Sequence, residues 1–591
     1  MLKGVSMSND GLAPSKWILI VLVALAPLWM TGLYGRGYWT PDEPREADIA
    51  WRMSIQSDKT LPQLADQLFL EKPPLSYWLS AAAMHMFGDT PASARTPNLI
   101  YAIVTSISVW LLVYAMSGAV AASFATLFIG SACIVYQVAM WLAPDASLLA
   151  GCAVSLLGLY RGYVAVSGRE KLLWYTLMHA GALIGFMAKS AVGWAFPGLT
   201  LFVLLLWERR WIELTLWQLW AGLILQVTAI GLWIYSVWRL PDGAHALAVL
   251  FWNNLAGRFT DIHASGALDY ASGHQNWPGK YWLELPYYLF PWTLLVGAAI
   301  YRAWLRVQLK NREGTCWRFA VAASLPFLML LSMATTARGI YAAPCLLGLA
   351  VMVGLWVPAF LNGSDRVDVW AVRITRILVA IFVVIIFCLV CLLAITGYSD
   401  SSSLSWLGFV LFALILIAAT AWTMKQSMLA EKQRSPMSIG WCYAIYTLTM
   451  VMAGLTLFPV LDQVQNLPSI AVAIRQDASN RPLALLQPDE TTIAMMDYRS
   501  GVPMVLLNEE SKDALALAKQ WFDAHPTDGL LLVRLPGTVT GALQPLVHRF
   551  YRPKHSSDGI VKELQDAQIG QLVKRYELPL GRRYALLERI K

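Results

Sequence analysis

The first residues able to do chemistry are an acidic pair, Asp42 and Glu43, which stand just ahead of Pro44 and Arg45. A carboxylate beside a hydroxyl acts as a general base, which contributes roughly 10²–10⁴-fold to a rate. An acidic pair before a proline is also typical of the first turn of a helix, where Pro is favoured and the helix dipole stabilises negative charge. For a dipeptide taken alone, the sequence favours this second, structural interpretation.

A long loop between residues 241 and 285 carries many polar side chains, including three of the eight histidines. Histidine and carboxylate groups on one face of a protein can hold a divalent metal ion, but their spacing here matches no compact zinc motif. The metal signal from His274 is therefore weak by itself, and a solvated loop residue is the favoured interpretation of each histidine.

Three charged residues stand at the ends of apolar segments: Asp145, Lys189 and Arg338. A charge at the centre of a membrane span costs about 2.5–3.5 kcal/mol on insertion scales, so charges near such segments usually face protein or water and indicate a site. The cost is smaller near the end of a span, where Lys and Arg also extend to the membrane surface. That alternative stays open for Lys189 and Arg338.

The composition indicates a protein that crosses a membrane several times. Of the 591 residues, 57% are apolar and only 14% are charged, and the mean hydropathy is +0.52. These values exclude a disordered, collagen-like or nucleic-acid-binding protein. The seven cysteines show no metal-binding or disulfide spacing and are interpreted as small core residues.

Apolar runs of spanning length predict about thirteen transmembrane helices. They lie at residues 17–33, 99–116, 121–142, 147–160, 174–187, 191–207, 214–238, 285–303, 319–334, 340–360, 377–395, 404–422 and 439–458. Lys and Arg concentrate in alternate loops, which places those loops and the N-terminus in the cytoplasm and the C-terminus outside it. Most of the net charge of +8 is therefore explained by the Lys and Arg residues of the cytoplasmic loops, which set the orientation of the protein in the membrane.

The chain divides into two predicted domains. Residues 1–460 form a transmembrane domain with outer loops at 35–95 and 239–284, and residues 461–591 form a small extracytoplasmic α/β domain. In the second domain, β-like runs at 483–486, 492–496 and 529–533 alternate with helical patterns at 509–522 and 559–575, which is typical of an α/β fold.

This topology brings the candidate residues to one face of the membrane, which favours a site over isolated structural charges. The residues that the topology places on the outer face are Asp42, Glu43, Glu71, Lys72, Asp145, Lys189, His274 and Arg338.

The order of these motifs resembles the GT-C membrane glycosyltransferases, and most closely the family that includes the aminoarabinose transferase acting on lipid A. The resemblance rests on residues 30 to about 350, above all on Asp42-Glu43-Pro44-Arg45 and on the run Glu71-Lys72-Pro73-Pro74-Leu75-Ser76-Tyr77-Trp78. Further matching residues are Arg95, Lys189, Gly193, Pro197, Trp277, Pro278, Tyr281, Arg338 and Tyr341.

The resemblance implies a GT-C fold and an enzyme of the bacterial inner membrane that moves a sugar, aminoarabinose or similar, from a polyprenyl-phosphate donor to lipid A or a related envelope glycolipid. It implies catalytic roles for Asp42, Glu43 and Asp145. It implies that the donor phosphate is bound by Lys72, Arg45, Arg258, Arg338, Tyr341 and Lys189. Glu71 and His274 would hold a divalent metal ion, zinc or magnesium.

The sequence departs from the family pattern at two positions. These differences affect the prediction of which sugar and acceptor are used more than the prediction of the reaction type. Glu46 follows Arg45 where the family usually has Tyr, and Arg338 stands where the family commonly has Lys. Two alternatives stay open: an enzyme similar to protein O-mannosyltransferases, and a transporter or flippase of polyprenol-linked lipids. A transport path needs polar residues in both halves of the membrane, whereas nearly all candidates here lie on the outer side.

Overall fold

The computed structural model describes residues 13–253, 277, 279–334, 338–363, 365–395, 406–508, 513–535, 559–578 and 582–590. Within these ranges, nine helices are long and apolar enough to cross a membrane. They are Pro14–Leu33, Pro91–Ser117, Asp145–Val164, Trp217–Trp238, Arg312–Ser332, Cys345–Gly363, Arg366–Leu392, Leu411–Lys432 and Met437–Ala478. The protein is thus a polytopic helical membrane protein.

Two of the predicted spans are bent pairs of helices. Ala119–Ser131 and Cys133–Met140 meet at 63°, and Lys280–Tyr288 and Thr293–Arg306 meet at 115°. Counting each pair as one span raises the number in the described residues to eleven. Helices Gly168–Lys189 and Val192–Glu208 occupy the positions of two further predicted spans.

Glycines allow two helices of the bundle to pack backbone against backbone. A Cβ atom on Gly151 would lie 2.6 Å from the amide nitrogen of Gly185, and one on Gly158 would lie 2.3 Å from that of Met178. Small residues permit this close approach between membrane helices. Because helix Asp145–Val164 runs antiparallel to the next helix, its first residue lies beside the last residue of that helix, Lys189.

A helical layer covers one end of the bundle. Helix Glu43–Ile55 is followed by a two-stranded antiparallel hairpin, Gln63–Leu64 with Gln67–Leu68, and by helix Leu75–Phe87. Helix Glu43–Ile55 buries charged side chains as well as apolar ones, including both of its glutamates. Buried charges must be paired, and the charged side chains of this helix form ion pairs with neighbouring segments.

The chain beyond Leu467 forms a five-stranded mixed sheet. The strand order is Met504–Leu507, Leu483–Leu486, Leu530–Leu535, Arg583–Arg589 and Gly570–Glu577. The first three strands are parallel and the last two pair antiparallel. Helix Leu467–Ala478 packs on one face of the sheet, and helices Ala514–Ala524 and Gly559–Asp566 pack on the other.

Two local predictions in this region are wrong. Residues 492–496 were expected to form a strand but belong mostly to helix Glu490–Met495, because the side chain of Asp489 accepts a hydrogen bond from the Thr492 amide and starts a helix there. The helix predicted over 559–575 ends at Asp566, and residues 570–577 form an edge strand instead.

The remaining described helices are short. They are Trp211–Thr215, Gly243–Ala248, Val249–Asn253, Gly339–Ala342 and Met496–Ser500.

Candidate functional site

Asp42 precedes helix Glu43–Ile55 but does not cap it, since its side chain accepts no hydrogen bond from the backbone amides of the first turn. Its Oδ1 atom instead forms an ion pair with Arg338, which stands just before helix Gly339–Ala342, and lies 3.4 Å from Nη2 of Arg45. The interpretation of Asp42 as a helix cap alone is therefore wrong. The structure joins residues that are 296 positions apart in the chain.

Arg45 and Lys72 share one carboxylate. Oε1 of Glu46 accepts hydrogen bonds from Arg45 over 2.7 Å and from Lys72 over 3.0 Å, and Glu71 lies 3.7 Å from Lys72. Burial would raise the pKa of Glu46, but the charges of Lys72 and Arg45 lower it to about 2. Burial would likewise lower the pKa of Lys72, but Glu46 raises it above its usual range. Glu46 and Lys72 are thus held in their charged forms.

Glu490 is a member of this cluster that the sequence did not indicate. It is the first residue of helix Glu490–Met495, and its Oε2 atom forms an ion pair with Nη1 of Arg45. Nothing in the local sequence marks Glu490, because its partner lies 445 positions away. The charge cluster, defined as Asp42, Arg45, Glu46, Glu71, Lys72, Arg338 and Glu490, therefore draws on both parts of the chain.

A second ion pair lies beside the charge cluster. Lys189 Nζ donates to Asp145 Oδ1 over 2.6 Å, and the same nitrogen stands 3.6 Å from the centroid of the Tyr341 ring. Burial would lower the pKa of Lys72 and of Arg338, but Glu46 and Asp42 respectively raise it, and Tyr341 adds a smaller electrostatic influence on each. Tyr341 thus connects the Asp145–Lys189 pair with the phosphate-binding candidates.

Glu43 lies in a different environment from its neighbour Asp42. Its carboxylate is fully buried and accepts hydrogen bonds from Arg36 over 2.6 and 3.0 Å and from Arg95 over 2.8 Å at each oxygen. The amides of Trp39 and Leu142 donate to it as well. Burial would raise the pKa of Glu43, but Arg95 and Arg36 lower it to about 2. Glu43 thus joins three segments of the fold, and its predicted catalytic role stays a prediction.

Two predicted site residues, Arg258 and His274, lie outside the residues that the structure describes. In the described ranges, no three His, Cys, Asp or Glu side chains come together as ligands for a metal ion. Glu71, the other predicted ligand, is 14% exposed and lies beside Lys72, whose charge disfavours a cation there. The described residues thus form no metal site, and a metal held with His274 stays a prediction.

Two short helices of the C-terminal region, Glu490–Met495 and Met496–Ser500, contact the helical layer beside the site. Arg52 Nη2 donates to Asp497 Oδ1 over 2.6 Å, and Thr491 Oγ1 donates to the Pro41 carbonyl over 2.8 Å. Asp48, on the same helix as Arg52, is fully buried, and burial together with the charge of Asp497 raises its pKa well above the usual range. This contact positions Glu490 against Arg45.

Curated proteins and a family model match part of the chain. Residues 71–235 match the family model described as dolichyl-phosphate-mannose-protein mannosyltransferase. An undecaprenyl phosphate-alpha-4-amino-4-deoxy-L-arabinose arabinosyl transferase of Pseudomonas fluorescens is 28% identical over 375 residues, which cover 61% of this chain and 59% of the relative. One from Pectobacterium carotovorum is 26% identical over 361 residues, which cover 59% of this chain and 61% of the relative.

Two solved structures share the fold over almost the whole chain. The crystal structure of ArnT from Cupriavidus metallidurans in the apo state has a TM-score of 0.68 at 16% identity and covers 97% of this chain and 98% of its own. The structure of the same protein bound to undecaprenyl phosphate has a TM-score of 0.69 with the same coverage. The chain therefore has the GT-C fold, and the resemblance to the aminoarabinose transferase-like family is confirmed. The alignment spans about three fifths of the length of these curated relatives.

Proposed function

We propose that this protein, which resembles the aminoarabinose transferase-like GT-C family, is a membrane glycosyltransferase. It transfers a sugar, aminoarabinose or similar, from a polyprenyl-phosphate donor to lipid A or a related envelope glycolipid. The observation that carries the proposal is the charge cluster, where Asp42 lies against Arg338 and Arg45 while Lys72 shares Glu46 with Arg45. The ArnT fold over 97% of the chain supports it.

The cations of the cluster suit a phosphate leaving group. When the bond between the sugar and the phosphate breaks, negative charge develops on the phosphate, and cations fixed in advance lower the barrier. Lys72 and Arg338 are the main candidates, since Arg338 keeps 40% of its side chain exposed and the ammonium group of Lys72 has three N–H donors, of which Glu46 accepts one over 3.0 Å. Arg45 is enclosed by carboxylates and chiefly positions them. Arg258 stays a candidate from the resemblance.

Asp42 is the candidate to act on the acceptor. Its Oδ1 atom is engaged by Arg338 and Arg45, whereas its Oδ2 atom has no hydrogen-bond partner among the described residues. If the acceptor is a hydroxyl, Oδ2 is free to accept its proton as the new bond forms. If the acceptor is an ionised phosphate oxygen, Oδ2 instead binds a cationic group such as the amine of an amino sugar. Direct displacement at the anomeric carbon inverts its configuration.

Asp145, Lys189 and Tyr341 form the neighbouring wall of the site. Asp145 is proposed to bind the sugar or the acceptor, and Lys189 and Tyr341 to contact the donor phosphate. The Asp145–Lys189 ion pair leaves the pair neutral, so its members bind by hydrogen bonding more than by net charge. A divalent metal ion, zinc or magnesium, with Glu71 and His274 as ligands remains a proposal from the resemblance, and no step here depends on it.

The finer topology belongs to the same proposal. It has about thirteen spans, with helices Gly168–Lys189 and Val192–Glu208 as the two beyond the eleven counted above. The protein lies in the bacterial inner membrane with its N-terminus in the cytoplasm, and the C-terminal sheet lies in the periplasm beside the site. Lys and Arg in alternate loops support this orientation.

Mass spectrometry of lipid A provides the test. Cells lacking the gene are complemented with the wild type, with Asp42→Asn, or with Asp66→Asn, whose side chain is 93% exposed. The proposal expects an added sugar mass on lipid A with the wild type and Asp66→Asn, and none with Asp42→Asn. A lipid A profile that is the same in all strains would contradict the proposed acceptor.

A second candidate function is the transfer of a sugar to protein, which the family-model match over residues 71–235 favours. Intact-mass analysis of periplasmic proteins from the same strains separates the two enzymes, because only a protein transferase adds hexose to polypeptides. A polyprenol-lipid transporter would leave both lipid A and protein masses independent of Asp42.

A further inference from the structure

A small polar cavity lies beside Glu46 of the charge cluster. Its walls come from helices Glu43–Ile55, Leu75–Phe87 and Pro91–Ser117 and from residues 142–143. The cavity has room for about one water molecule. It therefore adjoins the carboxylate that two cations of the cluster share.

Three buried polar atoms at this cavity have no hydrogen-bond partner among the described residues. They are Oε2 of Glu46 and the hydroxyl oxygens of Tyr77 and Tyr101. These residues are 2%, 2% and 8% exposed. The other oxygen of Glu46, Oε1, is the one that accepts hydrogen bonds from Arg45 and Lys72. Buried polar atoms nearly always have a partner in folded proteins, so three such atoms around one cavity indicate a bound polar group.

Ser76 also lines the cavity, but its proton is already used. Ser147 Oγ donates to the Pro144 carbonyl over 2.8 Å, so the Ser76 hydroxyl is the donor in its contact with Ser147 over 2.6 Å. The oxygen of Ser76 can still accept a hydrogen bond. Ser76 therefore supplies no donor to Glu46, and it adds an acceptor to the wall of the cavity.

Water is the group that matches this chemistry. Lys72 and Arg45 lower the pKa of Glu46 to about 2 despite its burial, so Oε2 only accepts hydrogen bonds. Burial, followed by the charge of Glu46, raises the pKa of Tyr77 well above its usual range, so this hydroxyl keeps a proton to donate. The bound group must donate to the carboxylate and accept from the phenol. An ammonium group has no lone pair and a metal cation has no proton, whereas water can do both.

We propose that this cavity binds one ordered water molecule, which joins Oε2 of Glu46 to the hydroxyls of Tyr77 and Tyr101. The water fixes the plane of the Glu46 carboxylate, and Oε1 in the same plane accepts a hydrogen bond from Lys72 over 3.0 Å. Tyr77 and Tyr101 are thus positioning residues for Lys72, because they act through the water and through Glu46. The effect on the donor phosphate rests on the proposed function, whereas the water site does not.

A cryo-electron microscopy structure of the donor-free protein in lipid nanodiscs, at a resolution that shows ordered water, tests the site directly. The wild type is compared with Tyr77→Phe and with the matched control Tyr163→Phe. The Tyr163 hydroxyl is also buried without a hydrogen-bond partner in the described part of the chain, but Tyr163 does not line the cavity. Density within hydrogen-bond distance of Glu46 Oε2 is expected in the wild type and in Tyr163→Phe, and is expected to be weakened or lost in Tyr77→Phe. An empty cavity in the wild type, or unchanged density in Tyr77→Phe, would overturn the proposal.

The affinity for undecaprenyl phosphate and the transfer kinetics test the positioning role. Tyr77→Phe and Tyr101→Phe are each expected to raise the Kd for undecaprenyl phosphate and the donor KM about three- to tenfold, the range for one lost hydrogen bond. The acceptor KM and the apparent Tm stay at their wild-type values, and Tyr163→Phe changes none of these quantities. Tyr101→Phe keeps the test decisive if Tyr77→Phe does not fold. An unchanged Kd in the folded variants would overturn the positioning role.

The two measurements also separate this inference from the proposed function. Water density in the wild type, together with the absence of sugar transfer to any acceptor, would overturn the proposed function and leave the water site standing. Sugar transfer by a wild-type protein whose cavity is empty would overturn the water site and leave the proposed function standing.

Discussion

Arg45 and Glu490 form an ion pair between helix Glu43–Ile55 and helix Glu490–Met495 of the C-terminal region, across 445 positions of the chain. The charge cluster around them holds four carboxylates, Asp42, Glu46, Glu71 and Glu490, and three cations, Arg45, Lys72 and Arg338, which is 3 − 4 = −1. A polyprenyl phosphate is itself anionic. The acidic excess therefore opposes its binding, and Glu490 contributes to that excess from outside the membrane helices.

Glu490→Gln is expected to tighten the binding of the donor two- to fivefold. Gln keeps a hydrogen-bond acceptor for Arg45 while it removes one negative charge near the phosphate. The donor KM and the affinity for undecaprenyl phosphate measure the change. Glu577→Gln, at a carboxylate that is 37% exposed and pairs with Arg583, is the control. Weaker binding by the Glu490 variant would show that the charge itself is needed to position Arg45.

Asp42→Asn is expected to reduce transfer at least a hundredfold and to leave folding and donor binding close to those of the wild type. The amide keeps the shape of the side chain but neither accepts a proton nor attracts a cationic group. Transfer is measured with purified protein, and folding by the apparent Tm in detergent. Normal turnover by this variant would show that Asp42 has no role in the reaction. The control is Asp66→Asn, which is expected to transfer the sugar at the wild-type rate.

Lys72→Ala and Arg338→Ala are each expected to raise the donor KM, by about tenfold for a lost charge-assisted hydrogen bond. Arg306→Ala is the control, because that side chain has a similar exposure to Arg338, 41% against 40%, but lies at the end of helix Thr293–Arg306 and pairs with Glu313. Unchanged donor kinetics in either site variant would remove that residue from the phosphate site.

Glu43→Gln is expected to destabilise the fold by about 3–5 kcal/mol, the usual cost of leaving a buried charge without its partner. Arg36 and Arg95 both depend on this carboxylate and are themselves buried. The measurement is the apparent Tm and the yield of folded protein. A stable but inactive Glu43→Gln protein would instead support the predicted catalytic role of Glu43.

Asp48→Asn is expected to stabilise the protein at pH 7 and to flatten the dependence of its stability on pH. Burial raises the pKa of Asp48 above its unfolded value near 3.8, so the folded state keeps a proton that the unfolded chain releases as the pH rises. The free energy of unfolding therefore falls as the pH increases from about 4 towards the folded pKa. Asn reproduces the protonated form at every pH. The apparent Tm from pH 4 to pH 8 is compared with that of Asp58→Asn, an exposed aspartate.

If the apparent Tm of Asp48→Asn changes with pH as steeply as that of the wild type, another group is responsible for the pH dependence. Asp497, in helix Met496–Ser500, and Arg52, on the same helix as Asp48, both influence the pKa of Asp48, so Asp497→Asn is the variant to measure next.

The sequence by itself determined the membrane class, the helical segments and the motif that carries the family resemblance. These properties are local: an apolar run of spanning length forms a helix in a membrane whatever its neighbours are, and the Asp42–Arg45 and Glu71–Trp78 motifs are contiguous. The strand Leu483–Leu486 was likewise predicted at its observed bounds, because a short, wholly apolar run is typical of a central parallel strand.

Only the tertiary structure decided which charges meet. Asp42 and Glu43 are adjacent in the chain, yet helix geometry turns one towards Arg338 and buries the other between Arg36 and Arg95. No local pattern distinguishes them, since each is an acidic residue before Pro44. The sequence did not predict Glu490 as a site residue for a related reason. Its ion pair with Arg45 depends on how the C-terminal region packs against the rest of the protein, and that packing involves surfaces far apart in the sequence.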